Sequence, residues 1–394
     1  MRSRLALLLI ALLAWGGVVA GCGSKFELPT ERRIGRGVPA NGSYQMIATW
    51  PGMDGIQDVL LTPGSGTQLF LLFNHSNGAG AGPGEVFDFY LSRPQTLGSF
   101  TQQGLLNPVA LSAGGDGSGG VNNRVLVLEQ GDTLNAKTTF TVCDSCGDGK
   151  TPVRRRYVTD LSKYWHVREY SLLGAPISSF TDTSMAFVNG VAADNEGSVY
   201  VSGMAIVYTQ SSTSQFLYVR SFVSRVNKYR RGPRYPGVVP ADRNMPGADW
   251  HRDTTYFHTQ GAGVGYVNDP RGMVWSPNSP AGLFVADYGN NSAQKLSDSD
   301  TTGVYRLDRD YDGAPSTGPQ DVAVDEAGFV YVTDSGNRRV LRFDPDGEYV
   351  QRVDVEPDAL GLPLLNPVSA AANDSVVYVA DRGRGEIIRY QRRQ

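Results

Sequence analysis

Beyond residue 21 the chain alternates apolar and polar residues in short runs broken by Gly, Asn and Asp, and no long stretch keeps the 3.6-residue period of a helix. A period of two puts successive side chains on opposite faces of a sheet, so the pattern predicts an all-β fold. The clearest unit begins at Gly318 and ends at Asp354. It reads as four strands at 321–325, 328–333, 338–343 and 348–354. Between them stand Asp325-Glu-Ala-Gly328, Ser335-Gly-Asn337 and Asp344-Pro-Asp-Gly347, whose Asp, Asn and Gly residues suit tight turns.

The same order of elements returns along the chain. Asn366-Pro-Val-Ser-Ala-Ala371 is followed by Val376-Val-Tyr-Val-Ala-Asp381 and Glu386-Ile-Ile-Arg-Tyr390. Asp269-Pro-Arg-Gly-Met-Val-Trp275 precedes Gly282-Leu-Phe-Val-Ala-Asp-Tyr-Gly-Asn290. More worn copies pair Val188–Asp194 with Gly197–Ser202, Asn107–Leu111 with Arg124–Leu128, and Ile56–Leu61 with Gln68–Leu72. A Pro-led strand, a VYVAD-like strand, a Gly-Asn hairpin and an R-V-x-x-F strand together resemble the NHL-repeat family. The resemblance implies a β-propeller of four-stranded blades. The leading positions are 56, 108, 188, 270, 319 and 367. Three intervals are close to the roughly 40–50 residues of one blade, and two are about twice as long. Six blades with insertions at about 131–165 and 203–262 are expected, in preference to seven or eight with a degenerate blade in each long interval.

From Pro367 to Gln394 there is room for three strands only. Gly42-Ser-Tyr-Gln-Met-Ile-Ala-Thr-Trp50 resembles Gly347-Glu-Tyr-Val-Gln-Arg-Val-Asp354, the fourth strand of the clearest unit. An N-terminal strand completing the last blade would close the ring and remove its exposed edges. The propeller is therefore expected over 43–394.

The first 21 residues read as a leader rather than as part of the fold. Arg2 and Arg4 precede the apolar run Leu5–Ala14, and small residues follow before Cys22. The run is too short for a permanent membrane span. Val19-Ala20-Gly21-Cys22 resembles the lipobox of bacterial lipoproteins, which implies cleavage before Cys22 and its acylation; an ordinary signal peptide with a chance cysteine is the alternative. Residues 22–42 then form a Gly-, Pro- and Arg-containing tether. These features place the chain in the bacterial cell envelope, anchored by lipid and facing away from the cytoplasm. Gly23 lacks the Asp of an inner-membrane retention signal, which leans towards the outer membrane in a Gram-negative cell. The net charge of −3 argues against a nucleic-acid partner.

Catalytic sets are scarce. The histidines His75, His166, His251 and His258 are scattered and form no metal-binding pair. His75 reads as a solvated hairpin residue, and His251 and His258 as the flanks of an aromatic loop. Asp308, Asp310 and Asp312 form a D-x-D-x-D-G stretch able to wrap a hard cation such as Ca²⁺. Pro319 stands where an EF-hand needs Glu, and a plain acidic turn is the preferred reading. Cys143 and Cys146 suit a local disulfide better than a thioredoxin-type or haem motif, since neither context surrounds them. Asp287, Asp334 and Asp381 recur before the hairpin, where an Asp accepts backbone hydrogen bonds; an acidic ring on one face is the second reading. The arginines of 154–156 and 382–393 read as soluble outer edges.

Two functions remain. The first is a binding or scaffold module for an envelope protein or glycan, without catalysis. The second is a metal-dependent hydrolase or lyase acting in the channel, as the resemblance to lactonase-like and peptidylglycine-lyase-like propellers implies.

Overall fold

The computed structural model describes residues 43–393 apart from 63–66, 76–83, 101–104, 118–122, 132–139, 142–153, 156–163, 211–217, 233–237, 240–249, 278–280, 297–303, 307–317 and 355–362. Cys22, Cys143, Cys146, Asp308, Asp310 and Asp312 lie outside the described residues, so their expected roles stay expectations.

The fold is a six-bladed β-propeller, each blade built on four antiparallel strands. β1 (Tyr44–Pro51) comes first. Blade 1 holds β2 (Ile56–Leu61), β3 (Leu69–Phe73), β4 (Glu85–Phe89) and β5 (Thr96–Ser99). In blade 2, β6 (Pro108–Gly114) and β7 (Arg124–Glu129) are followed by the short pair β8 (Phe140–Thr141) and β9 (Arg154–Arg155), then by β10 (His166–Ser171) and β11 (Pro176–Asp182). Blade 3 takes β12 (Met185–Ala193), β13 (Val199–Gln210), β14 (Tyr218–Arg231) and β16 (Trp250–Thr259), with β15 (Val238–Val239) between the last two. Blade 4 holds β17 (Pro270–Ser276), β18 (Gly282–Asp287), β19 (Ser292–Leu296) and β20 (Val304–Arg306). Blade 5 holds β21 (Asp321–Val324), β22 (Val330–Asp334), β23 (Arg339–Phe343) and β24 (Tyr349–Arg352). Blade 6 ends the chain with β25 (Pro367–Ala372), β26 (Val376–Asp381) and β27 (Glu386–Arg392).

The ring closes as the repeat arithmetic requires. β1 pairs antiparallel with β27, from Tyr44 opposite Arg392 to Pro51 opposite Glu386, and so supplies the fourth strand of blade 6. The inner strands β2, β6, β12, β17, β21 and β25 touch in sequence, and β25 returns to β2. Six apolar clusters form the core, each straddling one junction between neighbouring blades. No blade could bury its faces alone, which explains how one domain of this length stays stable without a single large core.

Blade 3 departs from the regular pattern. β13 pairs with β14 over its whole length, from Val199 opposite Tyr229 to Gln210 opposite Tyr218. β15 pairs antiparallel with β11 of blade 2 as a fifth outer strand. His251 and His258 lie on strand β16, not on a loop. Polar residues obscure that strand in the sequence because its outer face carries ion pairs, Arg230–Asp253 at 3.1 Å and Arg252–Asp182 at 3.3 Å.

Candidate functional site: the polar rim of the channel

In blades 1, 2, 4 and 6 the leading residue of the inner strand sits opposite the end of the second strand. Ile56 pairs with Phe73, Pro108 with Glu129, Pro270 with Asp287 and Pro367 with Asp381. One face of the ring therefore gathers two kinds of position: those just after the leading residue, and those just after the second strand.

Five of the six inner strands carry a register shift at this point, at 56/58, 108/110, 188/190, 270/273 and 367/369. A regular strand would send consecutive side chains to opposite faces, whereas a bulge re-aims them. Two consecutive residues line the channel in five blades: at the shift in blades 1, 2, 4 and 6 (Gln57 and Asp58, Val109 and Ala110, Arg271 and Gly272, Val368 and Ser369), and at the start of the regularly paired β21 in blade 5 (Gln320 and Asp321). In blades 2 and 6 the first of these is a valine, and the polar group comes instead from Gln130 and Arg382, which follow the second strands.

The rim thus consists of Gln57, Gln130, Asn189, Arg271, Gln320 and Arg382, one residue from each blade, around a basin of about 180 Å³. Hydrogen bonds hold it in place. Arg382 donates to Gln57 Oε1 at 2.6 Å, and Asn107 donates to Gln130 Oε1 at 3.0 Å. Arg271 donates to Gln320 Oε1 at 2.7 Å and to Asp269 Oδ2 at 3.0 Å, with its guanidinium 3.5 Å from the Tyr288 ring centroid. Asn189 Nδ2 donates to Asp269 Oδ1 at 3.1 Å. Each glutamine spends its oxygen on a neighbour, and its Nε2 donors have no partner among the described residues.

Asp58, Leu111, Met273 and Asp321 line both the rim basin and a second one of about 400 Å³, walled largely by aliphatic side chains and Trp275. Three blades meet in the carboxylate of Asp58. It accepts hydrogen bonds from Val59 N at 2.8 Å, Leu111 N at 2.6 Å and Ser369 Oγ at 2.5 Å. Asp321 accepts from Ala370 N at 3.3 Å, and a β-carbon at Gly272 would stand 2.1 Å from its Oδ1. Glycine there is what allows the two blades to approach so closely. Burial pushes both carboxyls above the ordinary range. At Asp321 the charge of Asp58 adds to burial, so Asp321 is the one that keeps its proton near neutrality.

The recurring aspartates are structural. Asp287, Asp334 and Asp381 are fully buried, so no acidic ring faces solvent. Asp381 accepts from Leu365 N at 2.7 Å and Asn366 N at 2.9 Å; Asp287 accepts from Asn268 N at 2.6 Å and Gln294 Nε2 at 2.5 Å. Burial pushes Asp287 up to about 6. None of the histidines lines either basin. His75 is exposed at the rim face and stacks on Phe73, and His166 lies buried 3.3 Å from Glu129. His258 Nδ1 donates to Gly265 O at 2.8 Å. Among the described residues no group of three or more His, Cys, Asp or Glu side chains is placed to hold a metal ion. Arg382 corrects its reading as an outer-edge residue: it follows β26 and stands at the channel mouth.

The chain is thus a six-bladed β-propeller with a polar channel mouth. Its residues 317–343, which run into the third strand of blade 5, match the NHL repeat. No curated protein matches the chain. Among solved structures it is similar to the PQQ-bound form of aldose sugar dehydrogenase from Streptomyces coelicolor, at 11% identity, covering 90% of this chain and 99% of that one with a TM-score of 0.49. It is also similar to virginiamycin B lyase from Staphylococcus aureus, at 8% identity, covering 89% of this chain and 99% of that one with a TM-score of 0.46.

Proposed function

We propose that this protein is a lipid-anchored binding module of the bacterial cell envelope that takes a glycan at the rim of its propeller channel. The observation that carries the reading is the rim itself: six polar side chains, one from each blade, converge on a single basin. Planar amides and guanidinium groups held by their neighbours are suited to hydroxyl-rich ligands, because their donors are oriented before the ligand arrives. The anchor is read from Arg2, Arg4, the run Leu5–Ala14 and Val19-Ala20-Gly21-Cys22. A Cys143–Cys146 disulfide pinning the first insertion belongs to the same reading, with Asp308, Asp310 and Asp312 as an acidic turn or, alternatively, a Ca²⁺-holding loop.

The test is a glycan array probed with the detergent-solubilised full chain, followed by calorimetric titration of the strongest binder. Gln320→Ala is expected to weaken that binding about tenfold, the effect of losing one to two neutral hydrogen bonds. Absence of any glycan retained above background would sink the reading.

A second reading, hydrolysis or lysis of a small substrate in the channel, is favoured by Asp58, Ser369 and Asp321. Two carboxyls with one proton between them, in the lining of a ligand basin, have the make-up of a general acid and base. Turnover of a bound glycan, lost in Asp321→Ala, would move the protein to that class.

A further inference from the structure

We propose that the glycan taken at the rim carries a carboxylate, as a hexuronate does, and that Arg382 receives it. This rests on the reading of the rim as a glycan site. The charges facing the basin set the sign of the ligand. Arg271 is neutralised by Asp269 and covered by Tyr288. The Asp58–Asp321 pair is shared with the second basin, with one proton retained, and its oxygens are occupied by donors from three blades.

Arg382 is different. Its side chain bonds only to neutral oxygens, Gln57 Oε1 at 2.6 Å and Ile56 O at 3.4 Å. The carboxylate of its neighbour Asp381 is taken by the backbone of Leu365, Asn366 and Arg384. The channel wall partly strips water from the guanidinium, so the cation sits at the mouth with its charge uncompensated. The unpartnered amide donors of Gln57, Gln130 and Gln320 surround the same basin. A donor-rich rim with one unneutralised planar fork fits an acceptor-rich ligand carrying a planar anion, and a guanidinium matches a carboxylate through two parallel bonds. The basin's roughly 180 Å³ has room for a single sugar ring rather than a longer buried segment.

The experiment titrates the detergent-solubilised full chain with a galacturonate trimer, its carboxyl-reduced neutral counterpart and a hexose phosphate. Wild type is expected to prefer the acidic trimer over the neutral one by about 10- to 100-fold. Arg382→Ala should erase that preference, so that within the variant the acidic and neutral trimers bind equally whatever the loss of the Gln57 bond costs both, and Arg382→Lys should keep part of it. A thermal melt matching wild type shows that the variants are folded. Equal affinity of wild type for the acidic and neutral trimers overturns the proposal but leaves the glycan reading standing. Tighter binding of the hexose phosphate, or a preference that survives in Arg382→Ala, also overturns it. If none of the three ligands binds and the array is blank, both readings fall together.

Discussion

Replacing Trp50 with alanine is expected to lower the unfolding free energy by about 3–5 kcal/mol, the range for emptying a buried large aromatic site. Trp50 is 1% exposed on β1, with its ring 5.8 Å from that of Tyr378 in the same blade and 6.5 Å from that of Phe89 in blade 1. The cavity would therefore open in the cluster that joins the last blade to the first, where the ring is closed by a non-covalent strand. At the other end of β1, Tyr44 shares a hydrogen bond of 2.8 Å with Tyr331 of blade 5. The strand thus fastens blade 6 to both of its neighbours. Denaturant unfolding checks the value, with Leu173→Ala as the comparison. Leu173 is 92% exposed on a turn, and its loss should change stability by no more than about 0.5 kcal/mol. A Trp50→Ala midpoint equal to that of Leu173→Ala would mean that β1 does not close the ring.

The likeness of 42–50 to 347–354 marked this closing strand in the sequence because both are outer strands with the same alternation against one buried face. The blades were legible for a similar reason: six leading residues and six VYVAD-like strands recur where each blade must pack on its neighbours. β15 left no such trace. Val238–Val239 is too short to alternate, and its place on blade 2 depends on a partner far away in the chain. The rim was half legible. Aligning the repeats on their leading residues puts Gln57, Asn189, Arg271 and Gln320 at one position, and Asp58, Asp321 and Ser369 at the next. Strict alternation argues that only one of the two positions faces the channel, and the bulges that bring both inward have no residue signature of their own here. Gln130 and Arg382 replace Val109 and Val368 from a different strand, an exchange that appears only once the strands are paired. Asp287, Asp334 and Asp381 are structural, as their place before a turn suggests, but the turn supplies few of their donors: Asn268 N, Leu365 N and Asn366 N reach them from the segment before the inner strand, and the side chains of Asn337 and Arg339 hold Asp334.

The two carboxyls shared by both basins should respond in opposite directions to the same isosteric change. In Asp58→Asn one of the two oxygens becomes a donor. Both oxygens of Asp58 are in use, Oδ1 by Val59 N and Ser369 Oγ and Oδ2 by Leu111 N. Whichever way the amide turns, an N–H faces an N–H or O–H, and a buried group loses its partner. The expected cost is about 2–4 kcal/mol, from one or two orphaned donors. Asp321→Asn replaces a carboxyl that is already neutral near pH 7, so the amide's single acceptor and its donors match what the protonated acid supplies. Its effect depends on pH, and the sign follows from the raised pKa. A carboxyl that binds its proton more tightly in the folded state costs nothing below its unfolded value of about 3.9, and removes stability as the pH climbs through the folded value. The asparagine variant cannot ionise and escapes that loss. It should match wild type near pH 4 and exceed it by several kcal/mol at pH 8, at up to about 1.4 kcal/mol per pH unit between the two values. Urea midpoints of both variants at the two pH values decide the matter. If Asp321→Asn gains nothing between pH 4 and pH 8, Asp321 is not the group that holds the proton. If Asp58→Asn is as stable as wild type, the carboxylate of Asp58 is not the joint between blades 1, 2 and 6. The opposite signs would arise from one geometric difference: Asp58 is saturated with donors from three blades, while Asp321 sits beside a neighbouring negative charge that only a proton or an amide can relieve.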